Sequence, residues 1–251
     1  MTLLSIVMPA HNEADHIEQC VSEWYESILS KIPSSELLVV DDCSTDTTGS
    51  RLDALESRLP LLRVLRTSAN VGHGRAVRMG LDNSVGEFVF QTDSDRQHSP
   101  ADFWALWAQR GSADFVFGVR ATRADGRFRR AISQTLRMAD FFMWGHWIAD
   151  ANCPFKLMRR GPLLRVLEQV PLNAFVPMVM VSVLARRHGF RVREVRVRHF
   201  PRTAGESSLG GVFRWVSIGT RCLRELIALR VDARRPIDTH DARLATPAKL
   251  D

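Results

Sequence analysis

Residues 88–100 read FVFQTDSDRQHSP. An apolar run ends on two carboxylates one residue apart, Asp93 and Asp95, with Gln97 and His98 just behind. Carboxylates that close repel each other unless something relieves the charge. Three settings would do so: a divalent metal, a nearby arginine, or exposure to water. Residues i and i+2 at a strand end face the same side. Both acids can then reach one hard cation, Mg²⁺ or Mn²⁺, which takes oxygen ligands. Such cations are often held by one or two carboxylates plus substrate phosphates. Gln97 could add an amide oxygen.

Two other stretches have the right residue types for ligand chemistry. VVDDCSTD, Val39 to Asp46, ends a second apolar run on acids. An acid there can accept hydrogen bonds from ribose hydroxyls or a base N–H. Asp42 and Ser44 are also placed to cap the helix that follows. A response-regulator pocket would need a later phosphoacceptor Asp and a downstream Lys, and neither stands out. NVGHGRA, Asn70 to Ala76, puts glycines around a helix start, where backbone N–H groups can approach an anion. It is neither GxGxxG nor a Walker A loop.

The elements that must position these residues alternate. Strands are predicted at Leu3–Met8, Glu36–Val40, Leu62–Leu65 and Glu87–Gln91. Helical periodicity covers Glu13–Ile32, Thr47–Arg58 and Gly74–Asn83. This is the pattern of a parallel α/β sheet, whose ligands lie at the carboxyl ends of the strands. The four polar clusters PAHNE, DDCSTD, NVGHG and TDSD all fall at that edge. Further on, a helix is predicted over Ala101–Arg110 and strands over Ala113–Val119 and near Val192–Phe200. An amphipathic helix is predicted over Ile132–Ile148 and a last helix over Val212–Leu229. A basic stretch, RATRADGRFRR, runs from Arg120 to Arg130. One domain is expected over 1–230, with a polar tail over 231–251.

The 251 residues carry a formal net charge of +6 and 45% apolar residues, so a sizeable core and anionic partners are both expected. The four cysteines are scattered with no CxxC pair, which signals neither a zinc site nor a disulfide framework. The N-terminus reads as a first strand and not as a signal peptide. The longest apolar run, Ala174 to Ala185, is too short to span a bilayer. A soluble or peripheral cytoplasmic protein is expected, at most on the cytoplasmic face of a membrane, and not a nucleic-acid binder.

Taken together, PAHNE, VVDDCSTD, NVGHGRA, Gly80 and TDSDRQHSP, in this order, resemble glycosyltransferase family two. Within it, the Asp-x-Asp-x-Gln-His-x-Pro form looks most like the dolichol- or polyprenyl-phosphate sugar synthases. The resemblance continues through DANCPFKLMRR and EVRVRHFPRTAGESSLGG and covers about residues 3–230. It implies a GT-A fold: a Rossmann-like, mostly parallel sheet flanked by helices in a single domain. It also implies an inverting, metal-dependent transfer of a hexose from GDP-mannose or UDP-glucose to a polyprenyl phosphate.

The implied donor site comprises Pro9, Ala10, Asn12, Glu13, Asp42, Gly72, Asp93, Ser94 and Asp95. Asp93, Asp95 and Gln97 would hold Mg²⁺ or Mn²⁺. Arg120, Arg129, Ser133, Arg202 and Ser207 would meet the acceptor phosphate, with Asp95, Arg129 and Arg202 in catalytic roles. Arg123, Arg127 and Arg130 add to the basic face. Three features depart from the pattern. Gly205-Glu206-Ser207-Ser208 lacks the usual Lys, Pro154-Phe155-Lys156 replaces a small residue and Arg around a Phe, and the C-terminal transmembrane helices that some relatives carry are not expected here. A transferase with a hydroxyl acceptor, using Asp150 as base, and a non-catalytic nucleotide-sugar-binding protein are the alternatives.

Overall fold

The computed structural model describes residues 2–121, 145, 148–201 and 212–232. Among them, seven strands form one sheet: β1 (Leu4–Ala10), β2 (Ser35–Asp41), β3 (Leu62–Arg66), β4 (Phe88–Gln91), β5 (Phe115–Arg120), β6 (Lys156–Arg159) and β7 (Val192–Val197). Their order is β3-β2-β1-β4-β6-β5-β7. β1 pairs in parallel with β2 and β4, β2 with β3, and β5 with β7. β6 runs antiparallel between β4 and β5. The order reverses at β1, where β2 lies on one side and β4 on the other. A crevice at such a reversal is where open α/β sheets place their ligands.

The helices are α1 (Ile17–Ser27), α2 (Thr48–Glu56), α3 (His73–Asn83), α4 (Phe103–Trp107), α5 (Arg160–Leu167), α6 (Pro177–Arg187) and α7 (Val212–Asp232). Strand alternation sends neighbouring residues to two cores. Ile6, Met8, Leu37, Val39 and Phe90 join Trp24, Phe103 and Phe155 on one face. Val7, Leu38, Val89, Phe115 and Phe117 join Val77, Leu163, Val181 and Leu226 on the other. Strands buried on both faces read as continuous apolar runs, which is why β1, β2 and β4 were visible in the sequence; β3 shows instead by alternation, its Arg63 and Arg66 exposed between Leu62, Val64 and Leu65.

Several expected boundaries shift. The helix expected over 13–32 starts only at Ile17, because His16 and Ile17 both donate to the Glu13 carbonyl in a turn. It ends at Ser27, and a 3-10 turn follows over Leu29–Lys31. The helix expected over 101–110 is a 3-10 turn, Pro100–Asp102, followed by the short α4. β6, α5 and α6 were not anticipated. β6 escapes because its four residues KLMR look half polar, yet Lys156 is fully buried. Nearly all of the expected helix 132–148, and the tail from 233, lie outside the described residues.

The aromatic core backs the end of β4. Phe90 meets Phe155 and Phe103 edge-on, with centroids 4.7 and 5.0 Å apart, and Trp24 lies 5.4 Å away. Such contacts fix the strand end that carries Asp93. α3 presses close against the sheet at Gly80, where an added Cβ would lie 2.3 Å from Val7 Cγ1.

Candidate active site

Three loops are stitched together at the carboxyl edge. Pro9 and Ala10 belong to β1 itself, paired with Val40 and Asp41. Asn12 follows in a left-handed conformation, φ +53°. Its backbone N–H donates to Ser44 Oγ and its side-chain oxygen accepts from the Thr45 N–H at 2.8 Å. The Glu13 N–H donates to Thr48 Oγ1 at 2.9 Å. The first loop is thereby tied to the loop after β2.

Asp42 ties that second loop to a third. It is buried, and its carboxylate accepts from Thr67 Oγ1, the Val71 N–H and the Gly72 N–H at 2.8–2.9 Å. This corrects its expected role as a helix cap. α2 begins at Thr48 with Thr47 as its flanking residue, and the Thr48 N–H is met by Asp46. Ser44, the other expected cap, instead accepts from Asn12. Asp42 is a brace that holds Gly72 at φ +89° before α3. Gly74 also differs from expectation. A Cβ there would lie 2.5 Å from the Phe175 carbonyl oxygen, so this glycine admits a neighbouring loop.

Beyond β4, Asp93 and Asp95 are partly exposed, whereas Ser94 is buried. The Gln91 amide donates to Asp93 Oδ1 at 3.1 Å, and His73 Nε2 lies 3.7 Å from the same oxygen. Burial, with the Asp95 charge adding to it, pushes the Asp93 carboxyl up to about 6; His73, Arg120 and the Gln91 amide pull the other way. Asp95 Oδ1 accepts from the Gln97 N–H at 3.1 Å. Gln97 reaches across to Phe200: its carbonyl accepts from the Phe200 N–H, and its amide donates to the Phe200 carbonyl.

Arg96, between the two, was not singled out in the sequence. It adopts φ +56°, and its guanidinium donates to Gln19 Oε1 and Glu23 Oε1 of α1 at 2.7 and 2.6 Å. This clamp anchors the acidic loop to a core helix. His73 and Gln91 were missed as well. His73 stood within NVGHGRA, but nothing in the spacing linked it to Asp93.

Arg120 and Asp150 form a two-pronged pair, with Nε–Oδ2 at 2.7 Å and Nη2–Oδ1 at 2.9 Å. Asp150 is 3% exposed. A buried carboxylate held this way is an anchor for arginine, so the expectation of Asp150 as a general base is not met by its geometry. Nearby, Lys156 donates to the Ala151 carbonyl at 3.0 Å, and burial holds its amine down at about 8. His98 packs 5.1 Å from Phe155 and 5.4 Å from His199, and burial lowers its ring to about 4. Arg129, Ser133, Arg202 and Ser207 lie outside the described residues, as do Arg123, Arg127, Arg130 and Ser208.

A hard divalent cation suits this strand end. Two carboxylates offer oxygen donors, and Asp93 carries a charge that burial leaves poorly compensated. Among the described residues, no three His, Cys, Asp or Glu side chains converge into a complete metal cage. The set fits a cation whose remaining ligands come from substrate phosphates and water.

Comparison with known proteins bears on the family and the fold. The chain is 28% identical over 213 residues to dodecaprenyl-phosphate galacturonate synthase of Rhizobium johnstonii, covering 82% of this chain and 62% of the relative. It is 28% identical over 208 residues to undecaprenyl-phosphate 4-deoxy-4-formamido-L-arabinose transferase of Pectobacterium carotovorum, covering 81% and 62%. The chain thus spans about three fifths of these relatives' length. In fold it resembles glucosyl-3-phosphoglycerate synthase of Mycobacterium tuberculosis, with a TM-score of 0.68, 19% identity, and 92% and 80% of the two chains covered. The same enzyme has been solved with Mn²⁺ and UDP. The sheet is therefore of the GT-A kind. The glycosyl transferase family 2 profile matches residues 5–167, well over half of the chain, and the chain belongs to that family.

Proposed function

We propose that this chain transfers a sugar from a nucleotide sugar to a polyprenyl phosphate, as a peripheral protein on the cytoplasmic face of a membrane. The observation that carries the proposal is the end of β4. There Asp93 and Asp95 emerge beside β1, partly open to solvent, with His73 and the charge of Arg120 close by. The relatives' names, which specify dodecaprenyl- and undecaprenyl-phosphate, support the acceptor class.

In this reading Pro9, Ala10, Asn12 and Glu13 form the wall for the nucleoside. Asp42 shapes that wall through Gly72. Asp93, Asp95 and Gln97 would hold Mg²⁺ or Mn²⁺, which would offset the charge that grows on the leaving diphosphate. The acceptor's phosphate oxygen is already an anion at neutral pH. It therefore needs placement by arginine forks more than deprotonation. Arg120, held by Asp150, presents a fixed positive charge for that purpose. Arg129, Ser133, Arg202 and Ser207 complete the acceptor side in this proposal. A direct attack on the anomeric carbon inverts its configuration.

GDP-mannose and UDP-glucose are the donors implied by the family resemblance. The relatives' names widen the panel to a uronic acid and an amino sugar. The test incubates the full chain with Mn²⁺, a short polyprenyl phosphate and each radiolabelled donor in turn. Label extractable into organic solvent and lost in Asp95→Ala supports the proposal. Metal-dependent release of free sugar with no extractable label, for every donor, rejects the acceptor.

A further inference from the structure

We infer that Lys156 supplies the net positive charge of the Arg120 cluster, and so positions the acceptor phosphate without touching it. The inference rests on the acceptor role proposed above for Arg120. Asp150 lies on that guanidinium at 2.7 and 2.9 Å, and the Arg120 N–H adds a contact at 3.4 Å. The pair by itself carries no net charge. Both side chains are largely buried, so water screens them little. A phosphate brought to Arg120 meets a neutral pair unless a further cation is buried beside it.

That cation is Lys156. In β6 it pairs with Gln91 of β4 and Phe117 of β5, so the three side chains share one face of the sheet. Its ammonium donates to the Ala151 carbonyl at 3.0 Å and lies 4.8 Å from the centre of the Phe117 ring. Ala151 stands inside a turn that the Cys153 N–H closes on the Asp150 carbonyl at 3.2 Å. The lysine is thereby strapped to the turn that carries Asp150. Two other titratable groups face it, Cys153 and Glu194. Burial pushes the Cys153 thiol up to about 12, so it is neutral. The Glu194 carboxylate accepts from Arg186 and from the Ala149 N–H, so its charge is already met. Lys156 and Arg120 against Asp150 leave two cations to one carboxylate. A buried ammonium is costly in a core strand, where an apolar side chain would pack without that cost. Burial holds the amine down at about 8, whereas a guanidinium stays charged far above that. The extra charge is therefore present at neutral pH and lost as pH rises through 8.

The test measures acceptor KM, donor KM and kcat for the full chain from about pH 7 to about pH 9.5, with Mg²⁺, a short polyprenyl phosphate and the donor that the transfer assay selects. The acceptor's second phosphate proton leaves near about pH 6, so the acceptor does not titrate in this range. In the parent, acceptor KM should rise at least about fivefold as pH passes 8, with donor KM steady. Lys156→Met, similar in length and neutral, should show the raised acceptor KM already at neutral pH and stay flat. Lys156→Arg, charged throughout, should keep the low value to the alkaline end. Thermal melts check folding; if the arginine variant does not fold, the parent and Lys156→Met decide. A parent whose acceptor KM is flat across pH 8 overturns the inference. So does a folded Lys156→Met with the parent's acceptor KM at neutral pH. A Lys156→Met that lowers kcat alone and keeps the parent's inflection also overturns it, since the lysine would then only hold β6 in place. Transfer with a flat profile rejects this inference alone; no transfer from any donor rejects the acceptor reading and this inference with it.

Discussion

Replacing Asp93 by asparagine should stabilise the metal-free protein while removing its function. The Asp93 carboxyl is raised from an ordinary 3.8 to about 6, first by burial and then by the Asp95 charge. In the unfolded chain it ionises near its ordinary value. Between about pH 4 and 6 the folded protein therefore holds a proton that the unfolded chain has lost. Stability falls as pH rises through that window and stays lowered above it. Each pH unit corresponds to about 1.4 kcal/mol, so the upper bound is about 3 kcal/mol. The side chain keeps 23% of its surface open, and part of the rise is shared with Asp95. Solvent screening cuts the cost to about 1–2 kcal/mol. An asparagine side chain keeps the shape, and its oxygen can still accept the Gln91 amide hydrogen bond. Asp93→Asn should thus raise the melting temperature at pH 8, in the presence of chelator, by about 2–8 °C. Below about pH 4 the two proteins should melt together. Adding Mn²⁺ should raise the melting temperature of the parent and leave that of the variant unmoved. Equal melting at pH 8, or a gain that persists at pH 4, would refute the reasoning.

Three further outcomes follow from the same geometry. Arg96→Ala frees the acidic loop from Gln19 and Glu23; it should cost about 1–3 kcal/mol in denaturant melts and raise the donor KM more than it lowers kcat. Asp42→Ala leaves the Val71 and Gly72 N–H groups without their acceptor; it should cost about 2–4 kcal/mol and weaken nucleotide binding by calorimetry, whereas a mere helix cap would cost about 1 kcal/mol and leave nucleotide binding alone. Gly74→Ala drives a methyl to 2.5 Å from the Phe175 carbonyl oxygen; urea melts should show about 1–3 kcal/mol lost.

The first half of the chain was legible because its physics is local. β1, β2 and β4, buried on both faces, read as nearly unbroken apolar runs, and each ends on polar residues where the sheet meets solvent. TDSD could be read as ligand chemistry because two acids have no structural reason to follow FVFQ. Legibility ended where residues serve partners far along the chain. Asp42 looked like a cap because caps are local, but its carboxylate oxygens satisfy N–H groups about 30 residues away. Arg96 looked like any loop arginine, and its partners lie 73 and 77 residues back. Lys156 hid β6 because a lysine in a core strand contradicts the apolar pattern. Asp150 looked available as a base, and only the fold shows Arg120 on it.

The most direct measurement is a calorimetric titration of UDP and GDP into the full chain with Mn²⁺ and again with chelator, for the parent and Asp95→Ala. Among the described residues the two carboxylates have no third protein acid to complete a metal cage, so they make a partial site that the nucleotide's diphosphate would complete. The account predicts that one of these nucleotides binds with Mn²⁺, at least about tenfold more weakly with chelator, and without metal dependence in Asp95→Ala. Equal affinity for that nucleotide with and without metal, in both proteins, would contradict it: Asp93 and Asp95 would then end their strand for some purpose other than holding a cation against a diphosphate.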